Sequence, residues 1–164
     1  MHIRPATEAD LPAIRDIYNY YVDTSTATFQ LEHDTEAERL AWFRKRSEKH
    51  PAIVAVEGDD IIGWASLSPH KERAGYARTV EASVYIHHNH LRRGVGRELL
   101  RALVDRAREL GHRVIIGGAC TEHPGSIALQ RSMGFESVGV FRAVGRKFGR
   151  WLDVEYLQFT IKDT

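Results

Sequence analysis

Leu91-Arg92-Arg93-Gly94-Val95-Gly96-Arg97-Glu98-Leu99 follows an extended run from Val80 to Ile86 and opens a long amphipathic segment. Two glycines two apart mark the passage from strand to helix. Backbone N–H groups in a helix's first turn have no intrahelical partner, and the aligned peptide dipoles place roughly +0.5 charge there. Gly94 and Gly96 lack the Cβ atoms that would hold a phosphate away from those donors. Arg92, Arg93 and Arg97 add formal charge around the same opening. A strand, a basic glycine turn and a helix start in this order predict a site for a ligand that carries phosphate.

Working outward, Gly94 to Leu110 places Val95, Leu99, Leu103, Ala107 and Leu110 on one stripe, and Gly111 is a natural C-terminal stop. Val114 to Ala119 has no polar alternation and reads as a buried strand. Ser126 begins a short helix that stops at Gly134. Ser137 to Val144 and Val154 to Ile161 read as a closing strand pair joined by residues 145–151. Upstream, Thr7 to Pro12 starts a helix, with Leu11, Ile14, Ile17, Tyr18 and Tyr21 on its apolar face. Thr35-Glu36-Ala37-Glu38 is a capping box, and the helix behind it, with Leu40 and Phe43 on one face, is expected to end at His50-Pro51. Ala52 to Val56 and Ile61 to Ser68 read as a hairpin around Gly58-Asp59-Asp60. Pro69 to Tyr76 is a polar loop, and Thr79 to Ile86 is the strand that feeds the glycine turn. The order predicts an α/β (α+β) fold, one domain over residues 1–164, with a mostly antiparallel mixed sheet flanked by helices.

A chain of 164 residues with 43% hydrophobic and 27% charged residues is long enough to bury roughly 70% of its unfolded surface in one domain. Its net charge of +1 lacks the basic excess of a nucleic-acid binder. Its apolar runs are too short to span a bilayer, and no signal peptide is evident at Met1 to Pro5. The single cysteine, Cys120, allows no intrachain disulfide, so a cytoplasmic location is expected. Cys120 reads as a small buried residue and not as a nucleophile. His87, His88 and His90 lack an acidic partner or metal-ligand spacing, so no metal is expected.

The succession of strand, basic Gly-x-Gly turn, long helix, strand and short helix resembles the GNAT acetyltransferase superfamily. Within it, five further stretches resemble the phosphinothricin/methionine sulfoximine N-acetyltransferase group. These are Tyr18-Asn19, residues 24–29 ending in Phe29, residues 71–76 with Arg73 and Tyr76, Glu81 to Tyr85, and Lys147 to Asp153. The resemblance implies acetyl-coenzyme A as co-substrate, with its pyrophosphate on the amides of Arg92, Arg93, Gly94, Val95, Gly96 and Arg97. It further implies contacts from Val84, Tyr85 and Ile86 along the strand, and from His123 and Ser126 at the short helix. Neither rival glycine motif fits, because Gly96 is followed by Arg97-Glu98 instead of a P-loop Lys-Ser/Thr, and Leu99 stands at the third dinucleotide glycine. Three positions depart from the family pattern. Leu91 stands where the superfamily usually has Gln or Arg, His123 where the group tends to have Asn, and Gln130 where close relatives often have His.

Acyl transfer from a thioester to an amine needs a proton acceptor, a donor to the carbonyl oxygen and a route for the leaving thiolate. Glu81 is the candidate base, since a carboxylate partly withdrawn from water accepts protons well near neutrality. The alternative is that it turns outward or pairs with Arg73 or Arg78. The resemblance assigns the carbonyl to a backbone N–H between Tyr85 and His87, and the acceptor's carboxylate to Arg73, with Tyr76 and Phe29 lining the acceptor pocket. Lys147 to Asp153 would close that pocket at or near a homodimer interface, where Trp151 is a credible anchor. No general acid is assigned. The reading is an N-acetyltransferase for a small amino-acid analogue such as phosphinothricin or methionine sulfoximine, acting by direct attack. Alternatives are another amine (a protein N-terminus or a polyamine) or a non-catalytic coenzyme A sensor.

Overall fold

A computed structural model describes residues 1–163. The elements are β1 (His2–Pro5), α1 (Leu11–Thr24), α2 (Glu36–Arg44), β2 (Ala52–Glu57), β3 (Asp60–Pro69), β4 (Thr79–Ile86), α3 (Val95–Glu109), β5 (Val114–Cys120), α4 (Pro124–Ser132), β6 (Glu136–Lys147) and β7 (Arg150–Thr160). The seven strands form one sheet in the order β1-β2-β3-β4-β5-β7-β6. Every neighbouring pair is antiparallel except β4–β5. That parallel pair encloses α3, as a crossover connection requires. No helix among the described residues is long and apolar enough to cross a membrane.

Each face of the sheet has its own core. On one, the α3 stripe of Leu99, Leu103 and Ala107 packs against Ala65 and Leu67 of β3, Val80 of β4 and Ile115 of β5. On the other, Leu11, Ile14 and Ile17 of α1 cover Val54, Val56 and Trp64. Leu40 and Phe43 of α2 pack against this second cluster as partly buried side chains, and the most buried α2 residue is Arg39. Its guanidinium pairs with Asp34 at 2.6 Å and lies 4.7 Å from the Tyr18 ring centroid and 4.6 Å from that of Trp42. Stacking on aromatic faces lets a planar, weakly hydrated cation be buried beside its carboxylate.

Four boundaries differ from the sequence reading. Strand β1 was not foreseen, because four residues containing a proline carry no readable alternation. Proline is tolerated there since β1 is an edge strand. Helix α2 ends at Arg44, six residues before His50, because Arg46 turns out of the helix to donate to Leu67 O, to Ser68 Oγ at 3.2 Å and to His50 O at 2.9 Å. Helix α4 starts at Pro124, two residues before Ser126, with proline in its first turn. Strands β6 and β7 run through the stretch read as a loop and meet at a two-residue turn, Phe148-Gly149, with φ of 52° and 76°. Positive φ at both central residues suits the twist of a hairpin, but phenylalanine there gives no sequence signal.

Arg4 of β1 clamps the start of α1 through two hydrogen bonds to Asp10, at 2.7 and 2.9 Å, while the Thr7 N–H donates to the same carboxylate at 2.8 Å. These bonds, Arg4's first, hold the Asp10 carboxyl below its ordinary range. A depressed folded pKa stabilises the protein above the unfolded carboxyl's pKa, about 3.9, and is lost as pH falls through the folded value. Asp10→Asn is expected to lower unfolding free energy at pH 7 by about 1–2 kcal/mol, discounted because Arg4 is partly exposed. Urea unfolding should show the gap between variant and parent closing below pH 4.

Candidate active site

Strands β4 and β5 are paired only from Thr79 to Glu81 against Val114 to Ile116. Beyond that point β3 holds β4 out to Ile86, and β7 holds β5 out to Cys120. Both strands stay extended but separate, and a gap opens through the sheet. His87 N–H donates to Ile62 O of β3 at 2.8 Å, so by strand alternation the peptide groups of Tyr85 and Ser83 also point at β3. Those of Val84 and Ile86 point into the gap. The Ile86 carbonyl is taken by the Tyr21 hydroxyl of α1, and burial pushes that phenol's pKa up to about 12. The Ile86 N–H has no acceptor among the described residues.

At the wide end of the gap stands the N-terminus of α3. Its first intrahelical bond runs from Glu98 N–H to Gly94 O. No backbone N–H from Arg92 to Arg97 finds an acceptor among the described residues. Arg92 and Gly94 have φ of 60° and 81°, the left-handed conformation that curls successive N–H groups into an anion-binding concavity. The two glycines do different work. Gly94 supplies the left-handed turn, where a Cβ would meet open space, whereas a Cβ on Gly96 would meet Leu129 of α4 at 3.4 Å. That is ordinary van der Waals contact, so α4 leaves room at Gly96 as well, and neither glycine is demanded by close packing. The arginines also divide. Arg93 pairs with Glu57 at 3.4 Å and Arg97 donates to Ser132 Oγ at 2.8 Å, while Arg92 has no side-chain partner among the described residues.

On the sheet face covered by α1, alternation presents Glu81, Ser83 and Tyr85, while Val80, Ala82 and Val84 face α3. Glu81 is thus not drawn into the apolar core that surrounds it in sequence, and 42% of its side chain is exposed. Neither Arg73 nor Arg78 pairs with it. Arg78 donates to Gly111 O, and the Arg73 side chain is exposed at the start of a short 3-10 turn, Ala74–Tyr76. The basic group beside Glu81 is His70, with Nδ1 3.5 Å from Oε2. The Tyr76 ring meets the His70 ring edge-on at 5.7 Å, so the loop joins Tyr76 to the carboxylate through a residue with no sequence signal of its own. The Tyr85 ring lies among Tyr18 and Trp64, 5.2 and 5.1 Å away, and burial raises its phenol's pKa.

Phe29 lies against Gly145 of β6, where a Cβ would run into its ring. Lys147 is 3% exposed and donates to Ser25 O at 2.7 Å and Thr28 O at 2.8 Å, pinning the β6–β7 hairpin to the segment that carries Phe29. His123, the residue before α4, engages Thr26 Oγ1 at 2.8 Å. That hydroxyl also donates to Glu122 Oε1. Arg150, with two further hydrogen bonds at 2.8 Å, is the main cause that pushes the Glu122 carboxyl down to about 2. Ser126 is exposed on the first turn of α4. Gln130 is buried with its Oε1 unpartnered, and its amide fills the space above Gly117 of β5. No group of three or more His, Cys, Asp or Glu side chains that could hold a metal occurs among the described residues. Cys120 is buried at the end of β5.

The family model described as Acetyltransferase (GNAT) family matches residues 14–135. The L-methionine sulfoximine/L-methionine sulfone acetyltransferase of Salmonella typhimurium is 37% identical, covering 99% of this chain and 96% of its own. Among solved structures, a ribosomal-protein-alanine N-acetyltransferase from Brucella melitensis superposes with a TM-score of 0.96 at 39% identity, covering 98% of this chain and all of its own. A GNAT superfamily phosphinothricin acetyltransferase from Sinorhizobium meliloti, in complex with AcCoA, gives a TM-score of 0.91 at 36% identity, over 98% of this chain and 88% of its own.

The free amides of Arg92 to Arg97 should bind a small polyanion. Titration of inorganic pyrophosphate is expected to shift those amide resonances in NMR spectra. Arg92→Ala should weaken the binding by about three- to tenfold, and Arg97→Ala, whose side chain is engaged by Ser132, by less than about twofold.

Proposed function

The chain belongs to the acetyltransferase (GNAT) family, and on that premise we propose that it transfers acetyl from acetyl-coenzyme A to the amine of a small amino-acid analogue, with methionine sulfoximine and phosphinothricin the first candidates. The observation that carries this reading is the parting of β4 from β5 directly after Glu81, on the strand that leads to the unpaired amides at the start of α3. The unpaired N–H groups from Arg92 to Arg97 fit a pyrophosphate, and the gap-facing peptide groups of Val84 and Ile86 fit an extended amide-bearing arm. Acetyl-coenzyme A supplies an activated acyl group as a thioester. Its arm would thus lie along the free β4 edge, and the Ile86 N–H is the donor suited to the thioester oxygen.

Glu81 then acts as the base. It takes a proton from the acceptor's ammonium group, freeing the nitrogen lone pair to attack the thioester carbonyl. The C–N bond forms, the C–S bond breaks, and coenzyme A leaves as the thiolate, which takes up the proton the nitrogen then sheds. Arg73 is suited to the acceptor's carboxylate, as its side chain is exposed and has no partner among the described residues, and Tyr76 and Phe29 would flank the acceptor's side chain. Two lines support a small amino-acid acceptor. The Salmonella and Sinorhizobium relatives are named for such substrates, and the loop at Lys71 to Arg73 is net basic, which disfavours a polyamine. The name of the Brucella structure favours a protein N-terminus as the second reading.

We also assign a homodimer and a cytoplasmic location. The lone cysteine suits a reducing compartment. Strand β6 is one of the two sheet edges, and the β6–β7 hairpin exposes Val138, Phe141, Val144, Phe148 and Trp151, each more than half accessible. An edge strand this apolar invites a partner.

Thiol release from acetyl-coenzyme A should be measured over phosphinothricin, methionine sulfoximine, methionine sulfone, polyamines and an N-terminal peptide. Turnover of the amino-acid analogues is expected, with kcat for Glu81→Gln lower by about a hundredfold or more and coenzyme A affinity unchanged. Selective turnover of the peptide would establish the second reading, and coenzyme A binding with no release at all would make the chain a sensor. Separately, sedimentation should give twice the 18.7 kDa chain mass, and Phe141→Glu combined with Trp151→Glu should give the monomer.

A further inference from the structure

His70 begins the loop after β3, where the register sets Ser68 opposite Glu81. Its Nδ1 is shut off from water and makes no hydrogen bond, yet it lies 3.5 Å from Glu81 Oε2. A buried ring nitrogen without a partner is unfavourable, and this carboxylate oxygen is the acceptor in front of it. The Tyr76 ring, edge-on at 5.7 Å, holds the imidazole, and Lys71 Nζ lies 5.4 Å from the Tyr76 centroid. The other groups facing the pair are few. Across β3 stands Ser68, whose hydroxyl accepts from Arg46 at 3.2 Å, and across β5 stands Ile116. No other basic side chain comes within 4 Å of the Glu81 carboxylate among the described residues.

We propose that His70 is a positioning residue for Glu81, its Nδ1–H holding Oε2 in place and favouring the ionised carboxylate, so that Oε1 is left to receive the acceptor's proton. The inference rests on Glu81 being the base. Catalytic hydrogen bonds are commonly long before substrate binds, and closing 3.5 Å to bonding distance needs only a small rotation of the carboxylate. An acceptor that orders the Lys71–Tyr76 loop would press the imidazole onto Glu81 through Tyr76. Base and acceptor loop would then be set together.

The test is steady-state kinetics of His70→Phe, His70→Asn and His70→Gln beside the parent and Glu81→Gln, with acetyl-coenzyme A and methionine sulfoximine or whichever amine of the panel is turned over. Phenylalanine keeps a ring against Tyr76 without the donor, asparagine carries an amide near the Nδ1 position, and glutamine reaches past it. His70→Phe is expected to lower kcat about tenfold, with both KM values within about twofold and coenzyme A binding by calorimetry unchanged. The acid limb of its pH–rate profile should move up by about half a unit or more, since the carboxylate loses a stabilising donor. His70→Asn should restore rate and limb, His70→Gln should not, and adding His70→Phe to Glu81→Gln should cost nothing further. An unchanged limb in His70→Phe, or an asparagine variant no better than glutamine, overturns the pairing. Full turnover by Glu81→Gln would instead remove the base reading itself, so the two failures are told apart. Should the phenylalanine variant not fold, the contrast between asparagine and glutamine still decides.

Discussion

The parting of β4 from β5 after Glu81 governs the rest of the molecule. Backbone polar groups in a sheet are normally consumed by neighbouring strands, and an interior strand has none to offer a ligand. Here β4 and β5 are each secured on their outer sides by β3 and β7, so they can separate without unfolding. The separation exposes peptide groups of Val84 and Ile86 in the middle of a seven-stranded sheet. It also sets the start of α3 beyond the carboxyl end of a parallel strand, where a helix N-terminus can meet an anion.

The same gap joins two chemically different faces. On the α3 side the sheet is apolar and closely packed, with Gly117 admitting the Gln130 amide. On the α1 side the alternation of β4 brings out Glu81, Ser83 and Tyr85. On the proposed function, a ligand in the gap is anchored by amides at one end and presents its reactive group on the Glu81 face. The surrounding charges are already largely spoken for: Arg93 by Glu57, Arg150 by Glu122, and Lys147 by backbone carbonyls. Arg92 and Arg73 have no side-chain partner among the described residues.

Several elements were legible in the residues because they depend on local chemistry. The Thr35 capping box forms as read, with Thr35 Oγ1 accepting from Glu38 N–H at 3.1 Å. Strand β4 has the bounds expected of it, and Gly94 and Gly111 bracket α3 with φ of 81° and 82°. The failures are as instructive. Helix α2 stops early because Arg46 finds acceptors on β3, a partner distant in sequence. The β6–β7 hairpin hides its turn because Phe148 adopts a conformation its side chain disfavours.

By itself, then, the sequence determined the fold class, the glycine turn that opens α3 and the presence of a carboxylate on the strand that leads to it. Periodicity, capping and glycine geometry act over a few residues, and so they can be read from them. Only the tertiary structure decided that Glu81 faces His70 and not Arg73 or Arg78, and that Lys147 is a buried anchor. Those outcomes depend on strand register and on which distant carbonyl or carboxylate a side chain meets, and a one-residue change of register sends every side chain of a strand to the other face.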